Sequence, residues 1–427
     1  MAPGCASVTV PTTLKEALKF AGALGQGNLK DSVGKVLQAR VSRYSDNIAV
    51  DTYFTSTLNN LEELRQKLDK QHSTYGSYTN LPSQPGCLAD TVSDCFPTLY
   101  CTLFYLNFNV NGSDKGGGKW ANQQCNSGSI LNWLENGTSI TSPSSPAKIW
   151  RGGFDSGEVK CSQASDFSSQ LSGCLGDQGG SKFEMLLSGI LFLNPSFPEL
   201  TSTFLVFVSE VCCIVSEQSQ DEDADDGESR KKLHAAFEKQ YKSFSESASL
   251  KASCKSLRTN IEKLIGKGPS GDDGALQIPR NSHKLFKEKL HSDKFPLYLT
   301  WLSRNLPSLI AHLKQMESDC EGWEPKNMSG GQAAGPFPYG FGFPKSGSWN
   351  QGTVQSSLQR LIGESSNEGL FALQRHVKSL IASSTSSSTG AAVGGFLGTA
   401  TVGGGAAAVY FNVGGSGTII KGLLKMY

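Results

Sequence analysis

Leu200-Thr201-Ser202-Thr203-Phe204-Leu205-Val206-Phe207-Val208-Ser209-Glu210-Val211-Cys212-Cys213-Ile214-Val215 is the stretch whose reading decides the fold. By hydropathy alone it resembles a membrane span. Its apolar part, however, is shorter than the about 20 residues that cross a hydrocarbon core, and Glu210 would set a carboxylate inside it. The reading that fits is a central helix covered by protein. A second apolar segment, 183–193, precedes it across Asn194-Pro195-Ser196-Phe197-Pro198. A third runs from Cys87 to Val110 and carries Phe96, Leu99, Leu103, Phe104 and Leu106, with Pro97 placed for a first turn or a kink. It is too polar at its start to span a membrane, so it also reads as a core helix. The chain is therefore expected to be mainly α.

Outward from these helices, the first seventy residues predict three more. Thr13 and Glu16 have capping-box spacing, and Leu14, Ala17, Leu18, Ala21 and Leu24 follow with helical period. Gly25-Gln26-Gly27 ends that helix; Leu29, Val33, Val36 and Leu37 mark the next, and Phe54, Leu58, Leu61, Leu64 and Leu68 a third. On the other side, 229–265 is a charged amphipathic stretch threaded by Leu233, Phe237, Tyr241, Leu250, Leu257 and Ile261. A helix pair is expected over 283–320 and a last helix or pair over 354–381. The segment from Trp120 to about Ser181, rich in Gly, Ser and Asn, reads as irregular. Gly335-Pro336-Phe337-Pro338-Tyr339-Gly340-Phe341-Gly342-Phe343-Pro344 has neither period, and is either an extended loop laying rings on the bundle or an exposed adhesive patch.

The last fifty residues change character. Ser383-Ser384-Thr385-Ser386-Ser387-Ser388-Thr389 reads as a polar stalk. Between Lys378 and Lys421 there is no charged side chain, and 390–413 is long enough to cross about 30 Å of hydrocarbon. Gly390, Gly394 and Gly398 recur every four residues, a face on which another membrane helix could pack and so form an oligomer. Lys421 and Lys425 then mark the cytoplasmic side. The competing reading is a disordered Gly-rich tail on a soluble secreted protein. The N-terminus lacks the basic-then-apolar pattern of a cleavable secretory signal.

Seven units follow: an N-terminal helical segment (1–72), a central cysteine-rich helical and loop region (73–220), an acidic linker (221–228), a C-terminal helical region with the aromatic loop (229–382), the stalk (383–389), a transmembrane helix (390–413) and a short tail (414–427). The fold class expected is a mainly α multi-helix bundle with long irregular, disulfide-containing loops and a C-terminal transmembrane helix. In the linker, Asp221-Glu222-Asp223-Ala224-Asp225-Asp226 lacks the EF-hand spacing and its closing glutamate, which favours a solvated linker over a calcium loop.

With 39 basic and 38 acidic residues, formal net charge is +1, which gives nucleic acid no bulk electrostatic attraction. Of eleven cysteines, ten lie in the middle of the chain and are candidates for disulfides in an oxidising location: Cys87, Cys95, Cys101, Cys125, Cys161, Cys174, Cys212, Cys213, Cys254 and Cys320. Their pairing does not follow from spacing. Cys101, Cys212 and Cys213, inside apolar runs, also read as ordinary buried thiols. Sequons at Asn111, Asn136 and Asn327 fit the same location. No cysteine or histidine spacing of zinc type occurs, the six histidines are scattered, and Gly116-Gly117-Gly118-Lys119 lacks the offset glycine and following hydroxyl of a phosphate loop. The sequence therefore predicts no catalytic residues, no metal and no cofactor, with a cryptic cysteine–histidine hydrolase as the remote alternative.

Several phrases carry a resemblance. Leu14-Lys15-Glu16-Ala17-Leu18, Tyr105-Leu106-Asn107-Phe108-Asn109-Val110, Gly116-Gly117-Gly118-Lys119-Trp120, Tyr298-Leu299-Thr300-Trp301-Leu302, Asn305-Leu306-Pro307-Ser308-Leu309, Asp319-Cys320 and Gly335-Pro336-Phe337-Pro338-Tyr339-Gly340-Phe341 look like the secreted-antigen family of piroplasm blood parasites. Ala406-Ala407-Ala408-Val409-Tyr410-Phe411-Asn412-Val413 is similar to the ends of the related variant erythrocyte surface antigens. The resemblance covers most of the chain. It implies a product of a multigene family that is secreted, or held at the parasite or infected-cell surface. Its partner would be a host cell or serum protein, and its role antigenic variation, adhesion or immune evasion. It supplies no binding residues.

Overall fold

The computed structural model describes residues 9–70, 81, 84–111, 129–136, 149–159, 164–175, 182–216, 224–266, 274–276, 286, 289–320, 339–342, 350–363 and 368–386. These form thirteen α-helices: α1 (Leu14–Leu24), α2 (Leu29–Val41), α3 (Val50–Leu68), α4 (Pro85–Asn111), α5 (Ser129–Asn136), α6 (Ala164–Leu175), α7 (Lys182–Leu193), α8 (Thr201–Ser216), α9 (Ala224–Tyr241), α10 (Ser245–Ile265), α11 (Phe295–Cys320), α12 (Gln351–Ile362) and α13 (Gly369–Ser386). Two 3-10 turns, Pro198–Leu200 and Ser292–Lys294, lead into α8 and α11. Sheet pairing among the described residues is limited to two isolated bridges, Thr13 with Arg151 and Asp69 with Val159.

Local rules set the early helix ends. Thr13 Oγ1 accepts the Glu16 amide at 3.2 Å, while the Glu16 carboxylate returns to the Thr12 amide at 2.7 Å. This is a capping box whose return bond has moved one residue outward. Gly25 closes α1, and Gly27, at φ 59°, makes the turn that an L side chain would strain. Along α3 the periodic residues Phe54, Leu58, Leu61, Leu64 and Leu68 are all buried, as the spacing predicts. Pro97 lies well inside α4 rather than in its first turn.

Tertiary packing builds two groups of helices around one continuous core. In the first, α3 is central and touches α1, α2, α6 and α7, while α4 covers α2 and α6. In the second, α10 lies against α8, α12 and α13, and α11 closes over α12 and α13. The hydrophobic core runs unbroken from Leu14 to Leu380, so the expected units 1–72, 73–220 and 229–382 share one interior. Phe192, at the end of α7, joins the groups: its ring lies 4.8 Å from Tyr44, 5.3 Å from Phe207 and 5.5 Å from Trp301. Gly189, one turn earlier, lets α7 approach closely, since a Cβ there would stand 2.8 Å from Val50 Cγ2.

The deciding helix is a core helix. Pro198–Ser216 is long and apolar enough to cross a membrane, with a mean hydropathy of 1.6, yet 94% of that window is buried by the rest of the protein. Glu210 does not break it, because Arg230 on α9 supplies two charge-assisted hydrogen bonds, Nε to Oε1 and Nη2 to Oε2, both 2.7 Å.

Four expectations need correction. The region expected to be irregular holds α5 and α6. The acidic linker is helical from Ala224 onward. The stalk begins as helix: Ser383, Ser384, Thr385 and Ser386 form the end of α13, their hydroxyls donating to backbone carbonyls three or four residues back. Finally, a disulfide framework through the core is not what the structure contains. Cys95, Cys101, Cys174, Cys212, Cys213, Cys254 and Cys320 are buried thiols outside any disulfide. Apolar helix faces close around them, so they fill space as small hydrophobes do. Cys87 alone of the described cysteines is disulfide-bonded. Cys125, Cys161, Asn327, the remainder of the stalk and the membrane segment with Gly390, Gly394 and Gly398 lie outside the described residues. Asn111 and Asn136 are the last residues of α4 and α5.

Candidate functional site

The densest polar chemistry in the core lies where α4, the 198–200 turn, the C-terminal part of α11 and the segment 339–342 meet. Thr98 Oγ1 donates to Glu199 Oε1 at 3.0 Å, and the Cys101 thiol points at the Glu199 carbonyl at 3.7 Å. Thr102 accepts the Trp150 amide at 3.1 Å and donates to the Thr98 carbonyl at 2.7 Å. The Tyr339 carbonyl accepts the Ser202 amide at 3.1 Å, and its hydroxyl donates to Asp319 Oδ2 at 2.8 Å. Gln315 donates to the other oxygen of Asp319 at 3.0 Å. Glu199 and Asp319 are each only 4% exposed, so these bonds replace water that the carboxylates have lost.

Tyr339 and Phe341 are fully buried, which is the ring-laying alternative for the aromatic segment. Gly340 makes this insertion sterically allowed. It sits at φ +83°, and a Cβ would come within 2.4 Å of Ser202 Oγ and 2.8 Å of the Glu199 carbonyl. The second clash is with backbone and cannot be relieved by a rotamer change. Gly340→Ala is therefore expected to destabilise the protein by about 2 kcal/mol, combining left-handed strain with overpacking. Urea denaturation checks this, and an unchanged midpoint would refute the insertion geometry.

The seam contains the residue types of a cysteine–histidine hydrolase, in unsuitable ionisation states. Burial pushes the Cys101 thiol well above its ordinary value, the nearby Glu199 carboxylate adds to this, and the Gly340 backbone opposes it. A nucleophilic cysteine needs the reverse, a thiolate stabilised by positive surroundings. Burial also pushes the His312 imidazole down to about 4, with the Ser196 backbone opposing the shift. Its Nδ1 finds no hydrogen-bond partner among the described residues. The arrangement is chemically suited to anchoring the aromatic segment.

His312 makes stability depend on pH. The folded ring stays neutral down to about pH 4, whereas the unfolded ring protonates below about 6.5. The unfolded chain thus binds more protons between these values, and stability falls as pH drops through that window. The contribution lost by pH 4 is up to about 3 kcal/mol, with none added below. Urea midpoints at pH 7, 5.5 and 4 should show the loss in the wild type and a shallower one in His312→Gln. Parallel slopes would remove His312 as the cause.

Burial disfavours the thiolate at four further cysteines as well. Cys95 is raised chiefly by burial, and Cys174 and Cys320 are pushed up to about 12 by the same cause. Cys174 donates to the Asn60 carbonyl at 3.4 Å. Between α8 and α10, Cys213 Sγ accepts from Arg258 Nη1 at 3.2 Å. Burial raises the Cys254 thiol well above its usual value.

Sequence reasoning singled out Cys101 and Cys320 as disulfide candidates but gave Glu199, Ser202 and Asp319 no role, since no local pattern flags a buried carboxylate. Among the described residues, no group of three or more His, Cys, Asp or Glu side chains could hold a metal ion. No protein-family model, curated protein or solved structure matches this chain.

Proposed function

We propose that the protein is a non-catalytic helical antigen, secreted or displayed at a parasite or infected-cell surface, that acts by contact with a host cell or serum protein. What supports this reading is the inward use of the core's chemistry. The seam carboxylates are engaged by Thr98, Gln315 and Tyr339, and burial disfavours the thiolate a hydrolase would need. Contact chemistry is then left to the segments between helices, such as 112–128 and 321–338, whose Gly, Asn, Pro and aromatic composition suits variable recognition surface. The apolar 390–413 segment would be the anchor. Antigenic variation, adhesion and immune evasion are the roles its sequence resemblance suggests.

The test is labelling of intact infected red cells with a membrane-impermeant amine reagent, followed by an alkaline wash. Labelled protein that stays in the pellet is the expected result for an anchored antigen. Protein recovered from the medium instead would support the soluble secreted form. Labelling only after detergent permeabilisation would sink both.

A further inference from the structure

The aromatic segment sits in its seam as a short peptide sits in a groove. The Ser202 amide donates to the Tyr339 carbonyl at 3.1 Å, and the Tyr339 hydroxyl donates to Asp319 at 2.8 Å. Gly340 passes where a Cβ would strike the Glu199 carbonyl, and Phe341 is fully buried. Helices α12 and α13 follow it and lie on α10 and α11, with Gln359 donating to Glu317 at 2.7 Å. Leu358, Leu361, Leu370, Leu373, Val377 and Leu380 bury the apolar face of this arm. One stretch of chain, 321–338, leads to the arm from α11. Its flanking residues Asp319 and Tyr339 are hydrogen-bonded to each other, so a turn of a few residues would join them. Its 18 residues instead reach about 60 Å when extended, enough to cross a fold of this size. We propose that the seam and the α10–α11 face dock a second copy of this chain, the two copies exchanging their arms, residues 339–386.

Exchange needs no new contact. Each hydrogen bond and apolar contact of the arm forms equally within one chain or between two, and reciprocal seating closes a two-fold dimer. The groove also states what it accepts. Asp319, held by Gln315, takes a phenol; the backbone passing Glu199 and Ser202 takes glycine; a ring must follow. Tyr-Gly-Phe occurs in this chain at 339–341 and nowhere else, so another copy supplies the match. The tether sets the balance: in dilute solution a chain's own arm competes at an effective concentration of about millimolar order. Chains that fold while crowded seat each other's arms, and the buried face then opposes release. Crowding on a membrane surface rests on the displayed reading. Exchange is tested on the purified chain, so either can fail alone.

Equal amounts of isotopically heavy and light full-length protein are unfolded, mixed and refolded together in mild detergent over a range of protein concentrations. Light scattering should show a dimer whose share rises with refolding concentration. Carbodiimide cross-linking of that dimer should join α11 peptides to α12 or α13 peptides of the other isotope in about half of such links. The monomer fraction gives the same links within one isotope. Heavy and light proteins refolded separately and then mixed should lose the mixed links. A protease site placed within 321–338 supplies a second readout. Cutting it should split the dimer into monomer-sized particles, half of them pairing a light body with a heavy arm. A monomer at every concentration would overturn the proposal. So would a dimer whose bodies keep arms of their own isotope, as one joined only through 390–413 would.

Discussion

Glu210→Ala is expected to lower the unfolding free energy by about 3–5 kcal/mol, because it removes the bidentate carboxylate that neutralises a buried guanidinium. Arg230 and Glu210 meet with their side chains only 10% and 4% exposed, on helices that pack along each other. In such surroundings the desolvation of both ions is large, and their attraction offsets it only while both are present. Arg230→Met should therefore be costly as well. The double change Glu210→Leu with Arg230→Met should recover most of the loss, since two apolar side chains of similar volume suit this site. Chemical denaturation of the four proteins completes the cycle. Additive losses in the double variant would mean that the pair does not act as a unit.

Phe192→Ala should produce a loss of similar size, about 3–5 kcal/mol, for a different reason. The ring is 3% exposed and forms edge-on or stacked contacts with rings from both helix groups, including Tyr44, Phe207, Phe286, Tyr298 and Trp301. Truncation leaves a cavity that no single helix can fill, because the rings around it belong to different elements. The midpoint in urea should fall with little change in slope if the two groups still unfold together. Phe192→Leu, which keeps most of the volume, should lose much less. A loss under about 1 kcal/mol for Phe192→Ala would show that the groups are joined elsewhere.

Legibility in the sequence followed the range of the interaction. The spacing of Leu58, Leu61, Leu64 and Leu68 revealed a buried helix face, and Thr13 with Glu16 revealed its neighbour's start, because period and cap act over three or four residues. Helices α5 and α6 were missed. Leu134 and the trio Leu171, Cys174 and Leu175 are buried, but surrounding Ser, Gly and Asn dilute the period and favour turns. Reading Glu210 as a sign of protein burial was sound, yet nothing local singles out Arg230 as its partner.

What the chain determined by itself is the mainly helical class and the burial of its most apolar segment, since hydrophobic period, length and one charge suffice for both. Which carboxylate meets which cation, which thiols stay outside a disulfide, and that Tyr339 and Phe341 plug the seam beside Glu199 were decided only on folding. Those outcomes depend on contacts such as Thr98 with Glu199, 101 residues apart. Burial and hydrogen-bond geometry at such a contact come from packing, and no neighbouring residue in the chain encodes them.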